Sequence, residues 1–331
     1  MDIELLSERS GIIKQVRSFF DSRGYLETDT PLLSPDLIPE SCLEVFRTDL
    51  LSPKGSLMPD KPCWLIPSPE IWMKRLIARH RVDLYQICKC FRNGESRGRW
   101  HSPEFTMLEY YTMRADYMDS LKLTEELFAF LIGESKNKRA EISPPFIRIT
   151  MEEAFSRWAG FDLYKAAESP LAMEEEARKL GLCPPPGLSV PELYDLIFIH
   201  AVEPNLKLER PVALIDYPAF VPCLAKKGSG GDTDGKTVER WELYAQGIEL
   251  ANCYSEETDA EKVRAFFESE KAVKEKNALV PHKVDDDYWK LFSAKNEPFP
   301  ECSGVAMGLD RLIMVLTGRQ TIDGVLPFAA F

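Results

Sequence analysis

Eight cysteines occur in the 331 residues, at positions 42, 63, 88, 90, 183, 223, 253 and 302, yet none belongs to a C-x-x-C pair. The "CKC" run at 88–90 lacks the spacing of the usual zinc-binding thiolate pairs, so no zinc site is expected there. Scattered thiols point to a reducing compartment. No apolar run is long enough to span a bilayer. The opening "MDIELLSERS" is acidic and polar, unlike a secretion signal, and a cytoplasmic location is the expectation. Positive charge is not in excess: 41 Lys and Arg stand against 53 Asp and Glu, a net charge of −12. That works against a broad surface for coating nucleic acid, while leaving room for a local basic patch such as "KRLIARHR" at 74–81. Internal repeats and low-complexity tracts are also missing.

What is present suits a globular enzyme-sized chain, with 44% hydrophobic residues to build a core. "SGIIKQVRSFFDSRG" (10–24) spaces Ile12, Ile13, Val16, Phe19 and Phe20 along one face of a helix, with Ser10 as N-cap and Gly24 at the exit. A turn leads into a second helix over 67–80. "DLYQICKCFR" (83–92) and "PEFTMLEYYT" (103–112) alternate as two strands of a hairpin, joined by a polar loop rich in Arg. Phe105, Met107, Glu109 and Tyr111 share one face of the second strand. A helix is expected over 116–132, followed by a Pro-rich middle with helical pieces, read as an insertion over about 140–210. Strands are read at 211–218 and 238–252, and a glycine-bearing strand runs into an apolar helix near the end. Strands that come as hairpins, with helices grouped outside them, favour an α+β domain on an antiparallel sheet.

One octapeptide, "GGDTDGKT" at 230–237, fits the phosphate-loop pattern G-x-x-x-x-G-K-[ST] letter for letter. A working loop of that kind follows directly on a buried strand and opens a helix. Here the preceding strand ends a dozen residues early, the following residues alternate as a strand, and Asp232 and Asp234 set negative charge against phosphate. A mobile connection is expected instead.

Chemistry gathers in three other places, each within a strand or at its end. Arg92 is followed by Glu95 and, on the returning strand, by Phe105. Glu249, Asn252 and Glu256 lie within "GIELANCYSEETD", and Gly308, Asp310 and Arg311 within "GVAMGLDRL". An Arg at a strand end can grip a phosphate, an aromatic ring can stack on a base, and a second Arg can cover the other face. Oxygen ligands of this kind suit Mg²⁺ alongside substrate phosphates. Together these parts describe a nucleotide site on a sheet surface.

The stretches "GIIKQVRSFFDSRGYLETDTP", "FRNGESRGRWHSPEFTMLEYY" and "GVAMGLDRL" resemble the three signature motifs of class II aminoacyl-tRNA synthetases. "SPE" at 68–70 and "GIELANCYSEETDA" narrow the likeness to the lysyl branch, over about residues 8–325. The first motif begins within the opening dozen residues, so the anticodon-binding barrel of true lysyl-tRNA synthetases is not expected. The chain therefore resembles the stand-alone members of that branch, one catalytic domain over 1–331. Those enzymes activate lysine or (R)-β-lysine with ATP as an adenylate and transfer it to a lysine side chain of elongation factor P. In "GVAMG", Ala306 stands where lysyl-tRNA synthetases carry Gly, a methyl that could favour a substrate whose amino group is displaced by one carbon.

The resemblance implies roles residue by residue. Arg92 and Arg311 are the catalytic cations. Arg92, Glu95, Ser102, Phe105, Glu249, Leu250, Gly308 and Arg311 contact ATP. Ser68, Pro69, Glu70, Tyr111, Asn252, Glu256 and Ala306 line the amino-acid pocket, with Glu249 and Glu256 as ligands of Mg²⁺. A homodimer through the first motif is implied; no membrane partner is expected, and the net acidity, Ala306 and the anticodon-binding barrel that is not expected argue against tRNA as partner. From their local charge, Lys74, Arg75, Arg79 and Arg81 are the candidates for meeting elongation factor P. Three departures stand out: "FRNGE" carries one more residue than the family's F-R-N-E, Ser102 replaces a common Asn, and Cys253 replaces a Gly. Two alternatives stay open, a trimmed synthetase that charges tRNA and a non-catalytic amino-acid-binding relative.

Overall fold

The structure, a computed structural model, describes residues 3–53, 57–94, 98–134, 139–228, 235–293 and 297–328. In chain order its elements are α1 (Ile3–Asp21), β1 (Leu26–Glu27), β2 (Leu33–Ser34), β3 (Phe46–Leu51), β4 (Leu57–Leu65), α2 (Glu70–His80), β5 (Leu84–Phe91) and β6 (Glu104–Met113). Next come α3 (Tyr117–Gly133), β7 (Ile147–Thr150), α4 (Met151–Ala154), α5 (Leu163–Ala166), α6 (Pro170–Lys179) and α7 (Val190–Ile197). The chain continues through β8 (Val212–Pro218), β9 (Thr237–Ala245), β10 (Ile248–Ser255), α8 (Ala260–Asn277), β11 (Cys302–Gly308) and α9 (Leu309–Thr317). Strand pairing is mostly antiparallel and the class is α+β, as the hairpin pattern predicts. The chain folds as two compact units, one of residues 1–116 with 256–331 and one of residues 117–255.

In the first unit, β6 lies between β5 and β11, antiparallel to both, and β1 adds a parallel edge beside β5. The register sets Gln86 opposite Glu109 and Cys90 opposite Phe105 on one side, with Gly304 opposite Tyr111 and Ala306 opposite Glu109 on the other. Cross-strand partners share a face, so a single surface carries the odd-numbered residues of β6 with Gly304, Ala306 and Gly308. The other face is covered by α1, whose Phe20 stacks on Tyr85 with ring centroids 4.9 Å apart and meets Tyr110 at 4.8 Å. Helix α1 starts at Ile3, seven residues before the expected cap, because the helical run "IELLSER" with Glu4 in its first turn continues straight into it. Ser10 is therefore inside the helix, while Gly24 makes the expected exit with φ +80°. A small antiparallel sheet in the order β2-β4-β3 packs its own apolar cluster of Leu37, Val45, Trp64 and Ile66.

In the second unit, β9 lies between β10 and β8, antiparallel to both, and β7 runs parallel to β8. Gln246 and Gly247 join β9 to β10, with φ of 56° and 78°. That pair of left-handed residues matches the twist of a two-residue hairpin. Helices α4 to α7 build a core around Phe155 and Tyr194, whose rings stack at 5.2 Å. Thr237, the last residue of the phosphate-loop look-alike, opens β9 and not a helix. Residues 229–234, where a mobile connection was expected, lie outside the described residues. Among the described residues no helix is long and apolar enough to cross a membrane.

Candidate active site

The start of α2 puts charge into the core of the first unit. Pro69, fixed in φ, occupies the N-cap, and Glu70 and Lys74 follow on one helical face at a spacing of four. Lys74 is 1% exposed, and its ammonium lies 2.5 Å from Oε1 of Glu70 and 2.6 Å from Oε2 of Glu256. Glu256 is anchored through its backbone N–H, which donates to the carbonyl of Cys302 at 2.9 Å. Burial pushes the Glu256 carboxyl up to about 7; Lys74 opposes that shift and Glu70 adds to it.

Glu109 completes the group. It is buried, and its Oε1 accepts a hydrogen bond of 2.7 Å from the Tyr111 hydroxyl. Its Oε2 has no hydrogen-bond partner among the described residues. Burial first, then the neighbouring Glu70, pushes this carboxyl well above the usual carboxylate range. Gly304 is what lets these side chains meet. A Cβ there would lie 2.5 Å from the Tyr111 ring and 2.6 Å from Oε1 of Glu256. Any larger residue would have to push one of them aside.

The same strands present the cationic groups. Arg92 follows the end of β5, and its backbone N–H closes the hairpin on the carbonyl of Pro103 at 2.9 Å. Its guanidinium lies over the half-buried Phe105 ring, 5.2 Å from the centroid. Arg311 rises from the first turn of α9, where Nε donates to the carbonyl of Trp100 at 3.1 Å. Gly308 caps α9, and the Arg311 side chain covers it at 3.5 Å from where a Cβ would stand. Ser102 is half-buried in the link between β5 and β6, and Ser68 is half-buried ahead of Pro69. Glu95 lies outside the described residues.

Glu249, Leu250 and Asn252 belong to the second unit. A bulge between Glu249 and Ala251 leaves Glu249 opposite Tyr244 and Asn252 opposite Glu242. Asn252 accepts a 3.1 Å hydrogen bond from Nε of Arg240, which also pairs with Glu242 at 2.7 Å. Among the described residues no group of three or more His, Cys, Asp or Glu side chains is placed to hold a metal ion.

Sequence reasoning missed three residues of the first unit. Glu109 was legible as an acid on the face shared by Phe105 and Tyr111, but alternation alone does not say which face is the site. Lys74 was read as part of an exposed basic patch and is instead inside, because the acids of α2 and residue 256 draw it there. Of that patch Arg79 and Arg81 are exposed, while Arg75 is half-buried against Asp285. Glu40 is the third: half-buried, with its carboxyl pushed up to about 7 by burial and by Glu70, against the pull of Arg92.

Residues 3–331 match the family model of class II tRNA synthetases (D, K and N). The chain belongs to this family. Among its curated relatives is the elongation factor P–(R)-β-lysine ligase of Avibacterium paragallinarum, 35% identical over 327 residues, 99% of this chain and 95% of the relative. The ligase of the same name from Haemophilus influenzae strain PittGG is 34% identical over 328 residues, with the same coverage. That of Proteus mirabilis is 33% identical over 331 residues, covering 98% of this chain and 95% of the relative. Family membership agrees with the signature motifs, of which β5, β6 and the β11–α9 junction form the second and third.

Proposed function

We propose that the chain is a ligase that activates lysine or (R)-β-lysine with ATP and transfers it to a lysine side chain of elongation factor P. The observation that carries this reading is the buried cluster of Glu70, Glu109 and Glu256 around Lys74, beside a strand pair that ends in Arg92. Buried carboxylates on one wall suit the ammonium groups of a diamino acid, and a strand-end guanidinium suits the phosphate it attacks. Ala306, opposite Glu109, supports a pocket shaped by one extra methyl.

In the first step the substrate carboxylate attacks the α-phosphorus of ATP, and pyrophosphate leaves. A carboxylate is already ionised at neutral pH, so no base is needed. Arg92 and Arg311 hold the phosphates in line and offset the charge that builds up. Phe105 provides the aromatic surface for the base, and Gly308 the space beside it. In the second step the neutral amine of the acceptor lysine attacks the adenylate carbonyl, and AMP leaves.

Lys74 already neutralises Oε2 of Glu256 at 2.6 Å, which favours assigning Glu256 to the amino-acid pocket over a metal role. Glu249 keeps the metal role. Mg²⁺ bound with the nucleotide needs only one or two protein carboxylates and supplies positive charge to the phosphates. Leu250 and Asn252 keep the ATP and substrate contacts implied by the family motifs. The same motifs support a homodimer through the α1 region, action in the cytoplasm, and one catalytic domain across the chain.

Pyrophosphate exchange with each amino acid, followed by transfer of labelled product to purified elongation factor P or to tRNA, tests the reading. Labelled elongation factor P is the expected product. Label on tRNA alone overturns the acceptor.

A further inference from the structure

Two of the acids expected to line the amino-acid pocket, Glu70 and Glu256, are already engaged. Lys74 spans Glu70 and Glu256 at 2.5 and 2.6 Å, with side chains 1%, 12% and 2% exposed. Burying an ammonium held this way carries a large desolvation penalty, so a purely structural core would favour an apolar side chain there. Its company explains its presence. Three carboxylates converge in this group, and an apolar pocket wall cannot hold three ionised carboxylates together.

We propose that Lys74 is a positioning residue that acts as the built-in counter-ion of the amino-acid pocket. With all three carboxylates of Glu70, Glu109 and Glu256 ionised, it cancels one and leaves two negative charges for the substrate to meet. Two is the number of ammonium groups that lysine or β-lysine brings. The inference rests on the reading of this cluster as the amino-acid site. It also orders the acids: Lys74 fixes the carboxylates of Glu70 and Glu256, and Glu109, with its open Oε2, is the one left to be completed by the substrate.

The charge count has a pH signature. Glu256 faces Lys74 and Glu70 from α2, Tyr111 from β6 and Tyr288 from the turn at 288–292, while Glu109 faces Glu70 and Lys74 from α2, Cys88 from β5 and Tyr111 on its own strand. Glu40, which also lies near Glu70, is balanced by Arg92 and Lys274 and stays outside the count. A dication prefers ionised carboxylates, so KM for the amino acid falls as pH rises and levels off once the cluster has lost its protons. Removing Lys74 takes away the cation that holds down the Glu109 and Glu256 carboxyls, which raises their proton affinity and moves that plateau to higher pH.

The test measures amino-acid-dependent pyrophosphate exchange against pH for wild type, Lys74→Arg, Lys74→Met and the charge-balanced double variant Lys74→Met/Glu256→Gln. Lys74→Met is expected to shift the plateau upward by about one pH unit or more and to raise the amino-acid KM at pH 7 by about tenfold, with KM for ATP unchanged. Lys74→Arg keeps the wild-type profile. The double variant, which again has two net negative charges, returns the plateau to within about half a unit of wild type. A purely structural role for Lys74 predicts the opposite, a double variant at least as impaired as the single one, and that result overturns the inference. So does a Lys74→Met profile identical to wild type. Should Lys74→Met fail to fold, the double variant against wild type decides by the same criterion. Exchange in wild type with altered charge logic in the variants removes the inference alone; no exchange with either amino acid in wild type removes the site reading and the inference with it.

Discussion

Arg9 on α1 and Asp310 on α9 form a buried ion pair, with Nη2 2.5 Å from Oδ1. Asp310 also accepts the backbone N–H of Thr106 at 2.6 Å, and Arg9 donates to the Thr106 hydroxyl at 3.0 Å and to the carbonyl of Val325 at 3.3 Å. Three segments of the first unit thus meet on one carboxylate, immediately before Arg311 in sequence and after Phe105 in space. Its role is to fix the strand and helix ends that carry those two residues.

Removing one partner of such a pair strands the other in the core. Arg9→Met and Asp310→Asn are each expected to lose about 3–5 kcal/mol of stability, read as a drop in the urea midpoint. The double variant should lose less than the sum, because the pair no longer leaves an uncompensated charge.

Arg92→Ala is expected to lower pyrophosphate exchange by about 10²–10³-fold, the cost of one preorganised charge-stabilising donor. The side chain is half-buried at a strand end, so circular dichroism and melting temperature should stay near wild type. Near-normal exchange would remove Arg92 from the phosphate role.

Gly304→Ala places a methyl against the Tyr111 ring and Glu256. Overpacking of this kind costs about 1–3 kcal/mol, and both displaced side chains belong to the acidic cluster. Amino-acid KM should rise strongly while nucleotide binding, measured by calorimetry with a non-hydrolysable ATP analogue, is retained.

Ala306→Gly removes the methyl opposite Glu109. The ratio of kcat/KM for (R)-β-lysine over α-lysine is expected to fall. One methyl in a pocket is worth about 1–3 kcal/mol, so a change of about tenfold or more is the measurable outcome.

Glu40 links stability to pH. Its carboxyl is pushed from 4.5 up to about 7 in the folded chain, first by burial and then by Glu70. A raised carboxyl favours the folded state at low pH, a contribution fully present below about 4.5 and lost as pH rises through about 7. Glu40→Gln should therefore flatten the stability curve between those values and stand above wild type at pH 8, as followed by urea midpoints across the range.

Much of this was written in local pattern. Alternation over 83–92 and 103–112 specified the β5–β6 hairpin, and "GVAMGLDRL" the strand-to-helix junction at Gly308. Helical spacing of Val16, Phe19 and Phe20 located α1, though not its start, since an N-cap serine is outweighed when helix-forming residues precede it. Arg92, Phe105 and Arg311 could be placed at strand or helix ends from the sequence, and the structure sets them there.

The charge of Lys74 was legible; its direction was not. A lysine four residues after a glutamate on a helix reads as a solvent-facing pair, and it becomes a buried counter-ion only because Glu256, far along the chain, is brought to the same point. Glu109 differs from an ordinary strand acid for the same reason. Its environment is set by Glu70 and Lys74 of α2 and Cys88 of β5, and not only by Tyr111 beside it on β6. The sequence by itself determined the class of fold, the strand pair and the cationic groups, because these follow from periodicity and residue chemistry over a few neighbours. The tertiary structure alone decided which acids are buried together, which one is left open and where the compensating cation lies, because burial and Coulomb interaction depend on distances that only folding creates.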